Sequence, residues 1–342
     1  MPSLTRRIAH WIAQRFQFLS LVNPTLVLAA LAIALLFFFS SLALRHIHAS
    51  QERVIREHLL ASLGSFSELI NIWQQQNIAA IQMLAASSQG KLLRQVLQEE
   101  GSNPATHQEL RDWLYPILTV MGFDGFSVIN HQRVIVAAST PSYIKQLAQL
   151  PETLEVLNKA LANKPAISRP VAAVRPIEGP RGQQPAGSLM QNMCVLLEAE
   201  GKEPGFFCLR FNTHTSFFPI FLKGWSGSSG DIYAIDQNGR FITPARFGAQ
   251  TQQLLTLEQQ RAARIGTSVS LPADENGNSP LTKMADFLVN REAGMVSVNY
   301  QDYRGVAVAG AGRWIPEMEL GIIVEQDLSE AMAPYISSRN II

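Results

Sequence analysis

Asp231-Ile232-Tyr233-Ala234-Ile235-Asp236, then Gln237-Asn238-Gly239, then Arg240-Phe241-Ile242-Thr243 reads as a strand, a tight turn and a returning strand. Downstream, a polar loop and a helix over about 281–290 precede three further β-rich runs at 294–300, 305–314 and 321–325, which read as the rest of one antiparallel sheet. Upstream, Gly224-Trp225-Ser226-Gly227-Ser228-Ser229-Gly230 is a linker by composition. The stretch before it follows the same plan on a larger scale. A helix over 106–120 leads into a hairpin, 126–129 with 134–136. Residues 141–163 read as helical, 169–175 as extended and 178–185 as a Gly- and Pro-rich loop. A second hairpin pairs 189–197 with 205–211 about a midpoint near Gly201, which sets Cys194 opposite Cys208. A disulfide there fits an oxidising compartment, and two reduced core cysteines are the alternative.

The N-terminal part is of a different kind. No charged residue occurs from Phe16 to Leu44, and the run from Pro24 to Leu44 is almost wholly apolar, long enough to cross a bilayer core of ~30 Å. A cleaved signal peptide is the alternative, since Ser41-Leu42-Ala43 has a small-x-small pattern, but its apolar centre would be shorter. Arg6, Arg7 and Arg15 flank one side without acids, whereas Arg45, Arg53 and Arg56 alternate with Glu52 and Glu57 on the other. The purer basic flank favours a cytoplasmic N-terminus. Beyond it, Ile55, Leu59, Leu63, Phe66, Ile70 and Trp73 recur in steps of three and four, and no proline interrupts 46–100, so one long helix is expected there.

Composition narrows the function. The 342 residues carry 28 Lys and Arg against 27 Asp and Glu, which leaves no basic stripe for nucleic acid. Two cysteines exclude a thiolate zinc centre, and the seven histidines form no His-Glu-x-x-His pattern, so no metal and no cofactor is expected. Gly227-Ser228-Ser229-Gly230 lacks the spacing of a nucleophile elbow, and neither a phosphate-binding loop nor a kinase signature occurs, so the chain is expected not to be an enzyme, with no catalytic residue.

The run from Ser229 to Arg240, with Tyr303-Arg304-Gly305-Val306, Trp314-Ile315-Pro316, the run from Leu320 to Asp327 and Glu330-Ala331, resembles the double Cache family of extracellular sensor domains, whose two PAS-like modules are stacked on one long N-terminal helix. The polar insert over 254–282 is similar to a subgroup of bacterial receptors with kinase or cyclase outputs. The resemblance implies an α+β chain: a cytoplasmic tail (1–21), a transmembrane helix (22–45), a stalk helix (46–100), a membrane-distal module (101–225), a membrane-proximal module (226–335) and the start of a connection to a second membrane helix (336–342). It implies the periplasmic, ligand-sensing region of a receptor in the inner membrane, a homodimer through the long helix, and a signalling output outside this chain or in a partner. A membrane-anchored module that binds a periplasmic protein and no small molecule is the alternative.

The family's amino-acid-binding subgroup holds the ligand's ammonium on an acid late in the distal module. Arg210 stands where that acid is expected, and an arginine cannot pair with an ammonium. Arg169 and Arg175, with Arg210 and Tyr143, could instead form a pocket that accepts a small organic anion. In the second module Asp231, Tyr233 and Asp236 could line a smaller cavity, although Asp236 and Asn238 also suit the hairpin turn and Arg304 suits a structural contact.

Overall fold

The computed structural model describes residues 24–162, 164–198, 201, 203–224, 227–248, 264–290 and 294–333. The expected tail 1–21, the connection 336–342, Trp225-Ser226 and residues 254–263 of the insert over 254–282 therefore lie outside the described residues. The chain divides into two units, Ile55–Ala331 and Met1–Val54 with Met332–Ile342.

Helix α1 (Pro24–Ala86) runs for 63 residues. Over 28–42 its side chains are exposed and, apart from Ser40 and Ser41, apolar, with Leu36 70% and Phe37 74% exposed, and Ser41 Oγ donates back to the Phe38 carbonyl at 2.8 Å. Residues 22–23 of the expected span 22–45 are not described, nor are the side chains of 24–27 and 43–45. Among the described residues no helix is long and apolar enough to cross a membrane.

The expected single helix over 46–100 is interrupted. It ends at Ala86, a 3-10 turn occupies Ser88–Gly90, and α2 (Lys91–Gln98) follows. Ser87 caps the turn by accepting from the Gly90 N–H at 3.2 Å. A Cβ on Gly90 would lie 2.4 Å from the Ala85 carbonyl oxygen, so the turn closes only around glycine. The break lets the apolar face of α2, with Leu92, Leu93, Val96 and Leu97, fold back into the core.

Helix α3 (Pro104–Met121) starts at an Asn103 cap and ends at Gly122 in the left-handed conformation. The first sheet then forms from β1 (Gly125–Ile129), β2 (Ile135–Ala138), β3 (Ala166–Ile167), β4 (Val171–Ala172), β7 (Leu189–Leu197) and β8 (Gly205–Asn212), in the order β2-β1-β8-β7-β3 with β4 also on β7. Helix α4 (Pro151–Leu161) is shorter than the helix expected over 141–163, because Pro151 starts it and only a 3-10 turn, Pro141–Tyr143, precedes it. The expected loop 178–185 contains a small hairpin, β5 (Ile177–Gly179) with β6 (Gly182–Gln184).

Period-two alternation sets the two faces of this sheet. Phe126, Val128, Met193, Val195, Phe207, Leu209 and Phe211 pack against α1 to α3. Ile129, Cys194, Phe206 and Cys208 pack on the other side against Val156, Leu157 and Ala160 of α4. Strand β2 is the sheet edge, and α3 covers it: Arg111 donates to the Ala138 and Ser139 carbonyls, Tyr115 donates to Ser139, and His107 Nε2 accepts the Ala138 N–H at 3.2 Å. Cys194 and Cys208 are in register and joined as a disulfide.

After α5 (Thr213–Ser216) and α6 (Phe218–Lys223), the second sheet contains β9 (Asp231–Ile235), β10 (Met295–Gln301), β11 (Ala307–Ile315) and β12 (Leu320–Asp327), in the order β10-β11-β12-β9. The expected returning strand 240–243 makes only bridges, Ile235 with Phe241 and Arg240 with Ser268, since the chain leaves the sheet at once. Helix α7 (Lys283–Val289), capped by Thr282, covers one face with Met284 and Leu288. A last turn, α8 (Leu328–Ala331), brings Glu330 to the start of the module, where its carboxylate accepts the Ser228 and Ser229 N–H groups at 2.9 and 2.8 Å and the Ser229 hydroxyl.

Gly310 on β11 has a packing role. A Cβ there would sit 2.1 Å from the Tyr300 hydroxyl, so glycine leaves the space through which Tyr300 reaches Glu325. Gly310→Ala is expected to cost about 1–3 kcal/mol by overpacking. Chemical denaturation of the variant against the parent checks this, and an unchanged midpoint would contradict it.

Candidate ligand site on the first sheet

The face of the first sheet turned toward α4 is not completely filled. Strands β1, β7 and β8 present Ser127, Ile129, Met190, Asn192, Cys208 and Arg210 to it, all on the same side by alternation. Together with Tyr143, Leu150 and Thr153 from the helical turns, and with 171–175 from β4 onward, they enclose a cavity of about 450 Å³. That is within the range of small-molecule sites.

Arg210 is its central charge. Residues Asn192 and Arg210 face each other across β7 and β8, and Arg210 Nε donates to Asn192 Oδ1 at 3.2 Å. Asn192 Nδ2 in turn donates to Thr153 Oγ1 at 3.4 Å, which ties the strand pair to α4. The guanidinium lies over the Tyr143 ring, 5.2 Å from its centre. Its Nη1 is shielded from solvent and has no hydrogen-bond partner among the described residues. Burial lowers the guanidinium's affinity for its proton, an effect opposed by Tyr143 and by Asp124. An arginine stays protonated under such conditions, so the cavity holds an incompletely solvated cation.

The predicted residues separate into three groups. Tyr143, Arg175 and Arg210 line the cavity, with Arg175 exposed at its margin and its carbonyl accepting the Tyr143 hydroxyl at 3.4 Å. Arg169 is half-buried, with a shielded Nε that lacks a partner, and is not among the lining residues. The extended segment expected over 169–175 is confined to β4, so its two arginines do not share the cavity. Asp231 and Tyr233 belong to the second sheet, where both are buried in a packed polar network. Tyr303 donates to Asp231 Oδ2 at 2.5 Å, and Tyr233 and Tyr300 donate to Glu325 at 2.9 and 2.6 Å. Asp231 also accepts the Arg246 N–H at 3.0 Å. Burial raises the Asp231 carboxyl and pushes Glu325 up to about 8 despite the tyrosine hydrogen bonds. These two predicted residues therefore fill the module and line no part of the first-sheet cavity. Asp236 accepts the Asn238 and Arg240 N–H groups at 2.8 and 2.9 Å and shapes the turn. Asn192, Thr153 and Ser127 were not singled out in the sequence.

The two sheets share one winding. In each, the first strand lies between its short antiparallel return and the last strand of the module, and the preceding strands follow outward in reverse order. The chain resembles the sensor domain of the V. cholerae histidine kinase DctB, at 15% identity over 81% of this chain and 98% of that one, with a TM-score of 0.50. This is the fold of a double Cache sensor domain. The double Cache fold is shared with the extracellular domain of vpHK1S-Z8, a protein assigned as a histidine kinase, at 10% identity over 84% of this chain and 96% of that one (TM-score 0.50). It is shared also with a domain of a protein assigned to the sensory box/GGDEF family from Vibrio parahaemolyticus, at 11% identity over 82% and 99% (TM-score 0.50). No protein-family model and no curated protein matches the chain.

Proposed function

We propose that the chain is the periplasmic ligand-sensing region of a bacterial transmembrane signalling receptor, that it binds a small organic anion in the first-sheet cavity, and that it is not itself an enzyme. The observation that carries this reading is the shielded, unpartnered Nη1 of Arg210 beside a cavity of about 450 Å³. A buried donor without an acceptor is costly, and a ligand carboxylate or similar anion would complete it. The double Cache fold, which this chain shares with sensor domains, supports the same reading. The membrane anchor would be the segment 22–45, supported by the exposed apolar side chains over 28–42. Leu69, Ile72 and Met83 are 53%, 43% and 60% exposed on one face of α1, a stripe suited to a parallel homodimer through the long helix.

Signalling would be a population shift, in which ligand favours one of two packings of sheet and helices and α1 passes the change to the membrane. The output would lie outside this chain or in a partner. Calorimetry of the full chain in detergent or nanodiscs, with a panel of organic acids, sugars and amines, tests the reading. Saturable heat from an anion that vanishes in Arg210→Gln is expected. Silence across the whole panel would sink it and leave a periplasmic protein-interaction module.

A further inference from the structure

We propose that the ligand of this cavity is a monocarboxylate with an apolar body and no amino group. This rests on the reading of the cavity as a sensor site and narrows it to one chemical class.

One carboxylate is what the polar part of the wall can hold. The Arg210 fork is fixed in place: Asn192 takes its Nε, and Asn192 is itself oriented by Thr153, so the amide oxygen rather than the amide nitrogen faces the guanidinium. Nη1 is held by no protein group among the described residues, so a carboxylate that reaches the fork from the cavity would meet a donor without a competing acceptor. Among the described lining residues a second carboxylate would have only Arg175 as a further cation, and Arg175 is exposed, where solvent weakens an ion pair. Beside Ser127, Gln146 and Gln149, which bear no charge, the rest of the wall has a broad apolar part, with Ile129, Ile135, Leu150, Ile177 and Met190 around the space a ligand body would fill. Burying an aliphatic or aromatic body there is favourable in proportion to its area.

An amino group has no place in this wall. Among the described residues, no aspartate or glutamate lines the cavity. Asp124 acts on Arg210 from a distance but is engaged elsewhere, accepting the Asn212 N–H at 2.7 Å and lying 3.7 Å from Arg181. A ligand ammonium would lose its water without gaining an anion, beside a guanidinium of the same sign.

Pentanoate, glutarate and norvaline form a matched test, because they share one carbon count and differ by a single added charged group. The full chain in detergent or nanodiscs is titrated with each, and with benzoate as a flat monocarboxylate. Pentanoate or benzoate is expected to bind, with glutarate and norvaline weaker by about tenfold or more, or about 1.4 kcal/mol. Arg210→Lys, which keeps the charge but not the fork, is expected to lose most of that binding. A thermal melt of each variant shows whether it has folded, and the comparison of ligands on the parent chain stands without any variant. Norvaline or glutarate binding as tightly as pentanoate and benzoate would overturn the monocarboxylate class and leave the sensor reading intact. Failure of these ligands while another kind of anion binds would do the same. Silence from the whole panel overturns both.

Discussion

Unfolding of the second sheet at about pH 9 is expected to need on the order of 4 kcal/mol less than at about pH 5, a loss of stability on the alkaline side. The cause is Glu325. It lies on β12 with its side chain inside the module, where burial raises it from the usual 4.5 to about 8. Its neighbours from the packed elements are Tyr233 and Asp231 on β9, Tyr300 on β10, and Asp302 and Tyr303 in the turn after it. The cations nearby are committed elsewhere, Arg304 to Asp302 and Asp327 and Arg264 over the Tyr303 ring at 4.5 Å. A carboxyl whose folded value lies above its unfolded one binds a proton more tightly when folded. Its contribution is therefore complete below about pH 4.5 and is lost as the pH rises through about 8. Asp231, also raised by burial, acts in the same sense. His107, lowered by burial and by Arg111, acts in the opposite one, because its neutral ring must accept the Ala138 N–H. Hydrogen exchange at the amides of β9 to β12 isolates the second sheet from that effect. Glu325→Gln should flatten the profile and outlast the parent at alkaline pH; an unchanged slope would show that another group titrates.

Reduction of the Cys194–Cys208 bond is expected to cost about 3 kcal/mol, the loop-closure entropy of a bridge spanning 14 residues. The bridge joins β7 to β8 at the floor of the cavity, and Cys208 lines it two residues from Arg210. Reductant should therefore lower the unfolding midpoint and weaken ligand binding together. The double variant Cys194→Ala, Cys208→Ala should start at the lower midpoint and ignore reductant. Equal midpoints for oxidised and reduced parent chain would contradict the assignment.

Much of this fold was legible because it is written in local patterns. The turn at Gln237-Asn238-Gly239 and the β-rich runs of β9 to β12 declare themselves locally, and the symmetric register about Gly201 places Cys194 against Cys208. The same register, two positions along the strand, places Asn192 against Arg210, so this site pairing is also legible in the sequence. Other features depend on partners distant in sequence. Ser87-Ser88-Gln89-Gly90 is only a weak local stop signal, and the fold-back after it is favoured by where α2 packs. Glu325 near the end of an apolar strand reads as a solvent-facing charge, and only the tyrosines from β9 and β10 reveal it as an interior one. Arg169 and Arg175 share a parity along the chain, yet the strand between them is too short to give them a common face.

The carboxylate of Glu330, held by the backbone of Ser228 and Ser229, brings the two ends of a segment of about a hundred residues to within one hydrogen bond of each other. A segment closed in this way is a natural cassette. Joining residues near 229 and 330 by a short linker, and opening the chain in the exposed turn near Gly277, would yield a circular permutant whose new connection spans almost no distance and so adds little entropy to fold.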